Sequence, residues 1–184
     1  MINRFHCALA AIALILVAPA IAHAQIAPPE AIDPGATYEV GFSPGPSAEA
    51  LVLKAIRSAG SSILCAAYDF SSHELADALI RKAAAGVSIS IVADAREAGF
   101  RYSDLAELAR SGIAVRLNDD YAAMHDKFMI IDRRTVETGS FNYSYSAAAH
   151  NAENVIVIWD APHLAASFID EWEFLWRQSH PLSP

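Results

Sequence analysis

Cysteine is nearly missing from this chain: Cys7 and Cys65 are the only two. Cys7 falls in an apolar leader, so Cys65 stands alone in "SILCAAY" and no intramolecular disulfide can form once the leader is removed. A lone cysteine among apolar neighbours reads as buried filler, not as a nucleophile. There is no CxxC pair and no His/Cys cluster to suggest structural zinc. No carboxylate cluster asks for a catalytic metal, and no motif asks for a cofactor. Positive charge is scarce as well, with 13 Lys and Arg against 21 Asp and Glu and a net charge of −8. Such a chain does not hold a polyanion by bulk charge, so an anionic substrate requires a local basic site. Internal repeats are absent too.

What the chain does have is apolar content: 54% of its 184 residues are hydrophobic, enough for one domain with a real core. The stretch "MINRFHCALAAIALILVAPAIAHA" carries Arg4, an apolar run from Ala8 to Ala18 and small residues at Ala22-His23-Ala24. It predicts a signal peptide over residues 1–24, cut after Ala24. The run is shorter than the roughly 20 residues of a membrane-spanning helix. A periplasmic or secreted protein with no stable membrane association follows. Losing Arg4 leaves 12 basic against 21 acidic residues. Residues 25–37, "QIAPPEAIDPGAT", read as a linker or flexible N-terminal tail, and a single domain is expected over 38–180.

Within that domain "YEVGFSP" alternates like a strand, and "SAEALVLKAIRSAG" repeats its apolar residues at helical spacing. "SILCAAYDF" and "VSISIVAD" read as strands, "SSHELADALIRKAAAG" as a helix capped at Ser71 with Glu74, and "SDLAELARSG" as a helix before the strand "IAVRLN". Strand and helix alternate, which implies parallel pairing under helices. The second half differs. "HDKFMIID" and "RTVETGS" are extended runs joined at Arg133-Arg134, which suggests a hairpin. "AENVIVIWD" is a further strand, and "APHLAASFIDEWEFLWRQ" closes as an amphipathic helix. The expected fold class is α/β: a mixed, mostly parallel β-sheet flanked by helices.

The apolar run "MHDKFMIID" holds a histidine, a lysine and an aspartate. Side chains two apart on a strand share a face, so His125 and Lys127 point together and Phe128 and Ile130 point the other way. Asp132 lies an odd number of residues from both and reads equally as a turn residue or as a direct participant. Gly139, Ser140 and Asn142 follow in "ETGSFN". Ser140 and Asn142 offer neutral donors, and each also suits a turn after a strand. Glu153 opens the next strand, either as an ordinary exposed acid or as the orienter of an imidazole. Arg96, Arg101, Arg133 and Arg134 are candidate flanks of a substrate groove, opposed by Asp119 and Asp120 just upstream of the motif.

The pattern H-x-K-x4-D-x6-G-S-x-N runs ungapped through His125, Lys127, Asp132, Gly139, Ser140 and Asn142. It resembles the signature of the phospholipase D superfamily. The likeness extends from about Tyr38 to Arg177, in "VGFSP", "VETGSFN" and "AENVIVIW", and looks closest to that family's small single-motif bacterial endonucleases. The resemblance implies a phospholipase D-like fold and a metal-independent phosphodiesterase without a cofactor. It makes His125 the nucleophile and acid/base group, places Lys127, Ser140 and Asn142 on the phosphate, adds Asp132 to the catalytic set, and makes Glu153 the acceptor that orients His125. In this family two motif copies complete one site, so a single copy implies a homodimer with the site on its two-fold axis. DNA, and possibly RNA, is the implied substrate; an exported lipid phosphodiesterase is the alternative, and a non-catalytic dimeric binding module a third. Two identical imidazoles acting in opposite protonation states titrate as a coupled pair. Initial rates on a phosphodiester substrate should therefore give a bell-shaped pH profile, and a flat one between about pH 5 and pH 9 would contradict the pairing unless chemistry is not rate-limiting.

Overall fold

The apolar alternation read above condenses into one mixed sheet. The computed structural model describes residues 29–182, so the expected signal peptide at 1–24 lies outside the described residues. Elements follow in the order β1 (Thr37–Ser43), α1 (Ser47–Ser58), β2 (Ser62–Ala67), α2 (His73–Ala84), β3 (Ser88–Asp94), α3 (Ala95–Ala98), α4 (Leu105–Arg110) and β4 (Ala114–Asn118). Then come β5 (Phe128–Ile131), β6 (Thr135–Gly139), α5 (Tyr145–Ala149), β7 (Glu153–Trp159), α6 (Pro162–Gln178) and the short β8 (His180–Pro181). Among the described residues the strands form one eight-stranded sheet in the order β1-β7-β6-β5-β2-β3-β4-β8.

The α/β class and the mixed sheet are as expected, but parallel pairing does not dominate. Only β2–β3 and β3–β4 are parallel, while β1–β7, β2–β5, β4–β8, β5–β6 and β6–β7 are antiparallel. The reason lies in the connections. Helical crossovers α2 and α3–α4 enforce parallel neighbours, whereas the tight β5–β6 turn and the return through β7 enforce antiparallel ones. In that turn Asp132 and Arg133 both have positive φ, 52° and 57°, and Arg134 N–H donates to Ile131 O at 3.1 Å. Two left-handed central residues match the twist of the flanking strands.

Helices cover both faces of the sheet. One core, including Leu51, Ile56, Leu75, Ile91 and Phe141, lies beneath α1, α2 and α4. A second, with Phe128, Ile130, Val136, Ile169, Trp172 and Leu175, lies beneath α6. Trp172 is buried in this core, and its indole N–H donates to Cys65 O at 2.9 Å. Trp176 stacks on it, with ring centroids 4.8 Å apart. Cys65 is buried with a free thiol, and burial pushes that thiol well up. The α2 cap is Ser72, one residue later than expected, because the Ser72 Oγ accepts from Leu75 N and donates to Glu49.

The tail expected over 25–37 is fastened at its C-terminal end. Thr37 already belongs to β1, and Asp33 is buried, accepting from His163 N at 3.2 Å and meeting its Nδ1 at 2.5 Å. The physical reason is helix capping: Ala161, before α6, has no side-chain oxygen, so an aspartate from the tail takes that place.

Glu137 on β6 is fully buried against Tyr143, whose hydroxyl donates to Oε2 at 2.7 Å. Burial pushes its carboxyl up to about 8, against the opposing effect of the Tyr143 hydrogen bond. A raised acid keeps its full contribution to stability below its ordinary value of 4.5 and loses it as pH rises through about 8. Urea unfolding at several pH values should show Glu137→Gln gaining on the wild type between pH 5 and pH 8, by a few kcal/mol at the upper end. An advantage that does not change with pH would contradict the assignment.

Candidate active site

The segment that carries His125 and Lys127 is extended but unpaired; β5 starts only at Phe128. Two polar contacts hold it. Asp94, buried at the end of β3, accepts Met124 N–H on Oδ2 at 2.8 Å. Its other oxygen caps α3 through Arg96 N and Glu97 N at 2.9 and 3.2 Å. Thr138 Oγ donates to Lys127 O at 3.0 Å. The alternation of an extended chain survives, and the two side chains meet. Lys127 Nζ lies 2.9 Å from His125 Nδ1 and donates to His125 O at 2.6 Å.

The ring of Tyr68, just past β2, packs on the other side, 4.4 Å from the His125 ring and 5.0 Å from Lys127 Nζ, centroid to centroid and centroid to nitrogen. A cation over an aromatic face is favourable where water is excluded. Lys127 is buried, and its ammonium is pulled below the ordinary lysine range by that burial, against the opposing charges of Asp126 and Glu153. With Lys127 donating to Nδ1, the imidazole presents Nε2 as its remaining polar atom. A cleft of about 380 Å³ opens here, lined by His125, Asp126, Lys127, Phe128, Thr138, Gly139 and, from α6, Ser167, Phe168 and Glu171. Glu171 is raised by burial and by the neighbouring Asp126 charge.

The other expected site residues divide. Asn142 is set between Phe141 and Tyr143, both fully buried, and its Oδ1 is buried with no partner. Ser140 is engaged on both sides of its hydroxyl, donating to Glu153 Oε2 at 2.6 Å and accepting Asn154 N–H at 3.1 Å. Glu153 also accepts from Asn151 Nδ2 at 3.0 Å, so its recorded partners are Ser140 and Asn151 and not His125. Gly139 is required by geometry: a Cβ there would sit 2.1 Å from Asn154 O.

Asp132 is removed from the cleft altogether. It stands at the far end of β5, roughly 17 Å along the strand from Lys127 at about 3.3 Å per residue. Its carboxylate accepts from Gly60 N (2.8 Å), Ser61 N (2.8 Å), Ser61 Oγ (2.8 Å) and Ser62 N (2.9 Å). Its place in the catalytic set is therefore corrected: it clamps the turn after α1 to the β5–β6 hairpin. Arg133 and Arg134 share that far end, and Arg134 pairs with Asp160 at 2.8 Å, so neither flanks the cleft. Arg96 donates instead to the backbone of Ala122, behind the His125 segment. Asp94 and Tyr68 were missed from sequence. Their one signal was position, at the carboxyl ends of adjacent parallel strands, where α/β sheets place their sites.

A histidine and a lysine are thus held together at the mouth of a cleft, with Ser140 and Asn142 following on the next turn. Residues 52–176 match the family model described as "Cardiolipin synthase, PLD-like domain", and the chain belongs to the phospholipase D superfamily. It is similar to human mitochondrial cardiolipin hydrolase, 33% identical over 141 residues, covering 77% of this chain and 56% of that protein. It is also similar to phospholipase D of Rickettsia bellii, 38% identical over 131 residues, covering 71% and 65%. This chain thus spans less than two thirds of the length of either relative. Among solved structures it resembles Nuc from Salmonella typhimurium, a phospholipase D family member, with a TM-score of 0.79, 41% identity and coverage of 81% of this chain and 99% of that one. NucT from Helicobacter pylori shares the fold, with a TM-score of 0.73, 21% identity and coverage of 80% and 99%.

The Asp132 clamp sets a pH-dependent stability. Although burial opposes it, the donors from Ser62, Gly60 and Ser61 lower its carboxyl to about 2 from an ordinary 3.8. A lowered acid contributes above 3.8 and loses its contribution as pH falls through about 2. Asp132→Asn should cost about 1–2 kcal/mol at pH 7 after allowance for solvent screening. Denaturant titrations should show that difference closing as the pH drops from about 4 to about 2.

Proposed function

We propose that the chain is an exported, metal-independent phosphodiesterase that cuts nucleic acid without sequence preference, through a phosphohistidine on His125 and with a site shared across a homodimer. The observation that carries this reading is the His125–Lys127 contact at an open cleft, in a chain with a single H-x-K-x4-D-x6-G-S-x-N motif. The likeness to Nuc over 99% of that chain supports a short phospholipase D-type architecture.

In this mechanism His125 Nε2 attacks phosphorus. The P–O bond breaks, and the partner's His125 gives its proton to the leaving oxygen. The partner's His125, now neutral, takes a proton from water; the hydroxide attacks phosphorus and releases His125. Lys127 from each subunit holds the non-bridging oxygens as charge grows on them, with Asn142 as a neutral donor. Ser140 reaches phosphate only by giving up Glu153. That release also frees the Glu153 carboxylate to displace Lys127 from Nδ1 and orient Nε2 for attack. Export places the enzyme in the periplasm or outside the cell.

One observation favours lipid as a second reading. Asp126 and Glu171 line the same cleft as Lys127, and carboxylates beside a phosphate site suit a substrate with a cationic head group better than a polyanion. The names of the cardiolipin hydrolase and phospholipase D relatives point the same way.

Plasmid DNA and phosphatidylcholine vesicles, each offered to the processed protein in EDTA, separate these readings. Nicking that survives EDTA and is lost in His125→Ala supports the nuclease; choline release without nicking supports the lipid enzyme; nicking abolished by EDTA removes the metal-free mechanism. Lys127→Met should lower the rate on the true substrate by about 100-fold or more. Binding of DNA should be weak and depend only shallowly on added salt, because so few cations hold the strand.

A further inference from the structure

The face of the sheet that α6 covers does not end where α6 ends. In paired strands, residues directly opposite share a face. The row Phe128–Thr138–Ile156–Val40 therefore runs across β5, β6, β7 and β1, and the row Ile130–Val136–Ile158–Tyr38 runs beside it. Phe128, Ile130 and Val136 are buried in the core beneath α6. Ile156 and Ile158 are half-buried, and at the sheet edge Tyr38, Val40 and Phe42 are 68%, 53% and 60% exposed. The apolar surface continues unbroken from covered core to open face.

Size and charge set this surface apart. The three β1 side chains alone leave roughly 350 Å² uncovered, taking about 200 Å² for a whole aromatic side chain. A contiguous patch of that size matches the largest on a typical monomer, and such patches are often functional. With Ile156 and Ile158 it supplies the apolar centre of a contact, where a standard interface buries roughly 800 Å² per partner. The one acid within β1, Glu39, points to the opposite face, where it meets Lys54 at 2.5 Å and the Trp159 indole N–H at 2.9 Å. An uncharged patch is the part of a net-acidic chain where a second acidic chain can approach without repulsion. The patch also adjoins the site: Thr138 belongs to its row and lines the His125–Lys127 cleft, and Phe42 is paired with Asn154, whose N–H is held by Ser140.

We propose that the open face of β1 and β7, centred on Tyr38, Val40, Phe42, Ile156 and Ile158, is where a second copy of this chain docks. A two-fold contact there is isologous, each patch against its equal. Because the cleft opens on the same face, next to the patch, the contact turns the two His125 residues toward one another. The inference rests on the shared-site reading above and adds the surface that assembles it.

Sedimentation of the processed protein, beside Val40→Glu, Val40→Lys and Phe42→Glu, tests it, with circular dichroism as the check on folding. The wild type should sediment at twice the chain mass and each variant at the single mass with an unchanged spectrum. Mixing Val40→Glu with Val40→Lys should return the doubled mass, an outcome that a merely misfolded variant cannot give. Hydrogen exchange on the wild type is the independent measurement: amides of residues 37–43 and 153–159 should exchange faster on dilution. A monomeric wild type, or variants that stay dimeric, would overturn the docking face while leaving DNA nicking to be judged separately. Monomeric variants that nick DNA at the wild-type rate would keep the docking face but overturn the shared site; monomeric variants without nicking support both.

Discussion

The antiparallel pairing of β2 with β5 is the constraint on which the rest of the molecule depends. It joins the parallel half of the sheet to the hairpin half, in the register Ile63↔Ile131 to Ala66↔Phe128. Asp132 sets that register from one end, with four hydrogen bonds from the turn that opens β2. Beyond its other end the ring of Tyr68, two residues past Ala66, packs on His125, three before Phe128. A slip by one residue would exchange the faces of β5 and pull Phe128 and Ile130 out of the α6 core. Structural clamp and chemical site are thus opposite ends of one strand pair, about 17 Å apart, and one motif contains both.

Charge is used sparingly at the cleft. Lys127 is buried and held against a carbonyl, an imidazole nitrogen and an aromatic face. Preorganised in this way, a single ammonium is worth more toward a phosphate than several solvated ones. The acids Asp126, Glu153 and Glu171 keep the surroundings negative, and Asp126 and Glu153 help Lys127 stay charged. A net-acidic chain can therefore carry an anion site without a basic surface. In the proposed dimer the apolar patch on β1 and β7 follows the same economy, because two acidic chains meet best across an uncharged face.

Much of the fold was legible in the residues. The spans of α1, β3, α4, β4, β7 and α6 follow from periodicity and from glycine or proline punctuation. What escaped was short or tertiary. The four-residue α3 exists because Asp94 caps it, and the two-residue β8 because β4 offers it an edge. Asp33 read as tail because its partner, the bare N-terminus of α6, is 130 residues away. At the site the closeness of His125 and Lys127 was legible from alternation alone. The distance of Asp132 from them was half legible, since parity turned it away but could not say what it held.

By itself the sequence determined the α/β class, the one motif, the pairing of His125 with Lys127 and the acidic balance, because each depends on residue type and on spacing within a few positions. Tertiary structure decided the remainder. It made Asp132 a clamp, engaged Glu153 with Ser140, brought Tyr68 and Asp94 to the histidine, and left Tyr38, Val40 and Phe42 uncovered beside the cleft. Those outcomes depend on which strands lie side by side and in what register, and pairing between distant segments is settled only when the whole sheet closes over its two cores.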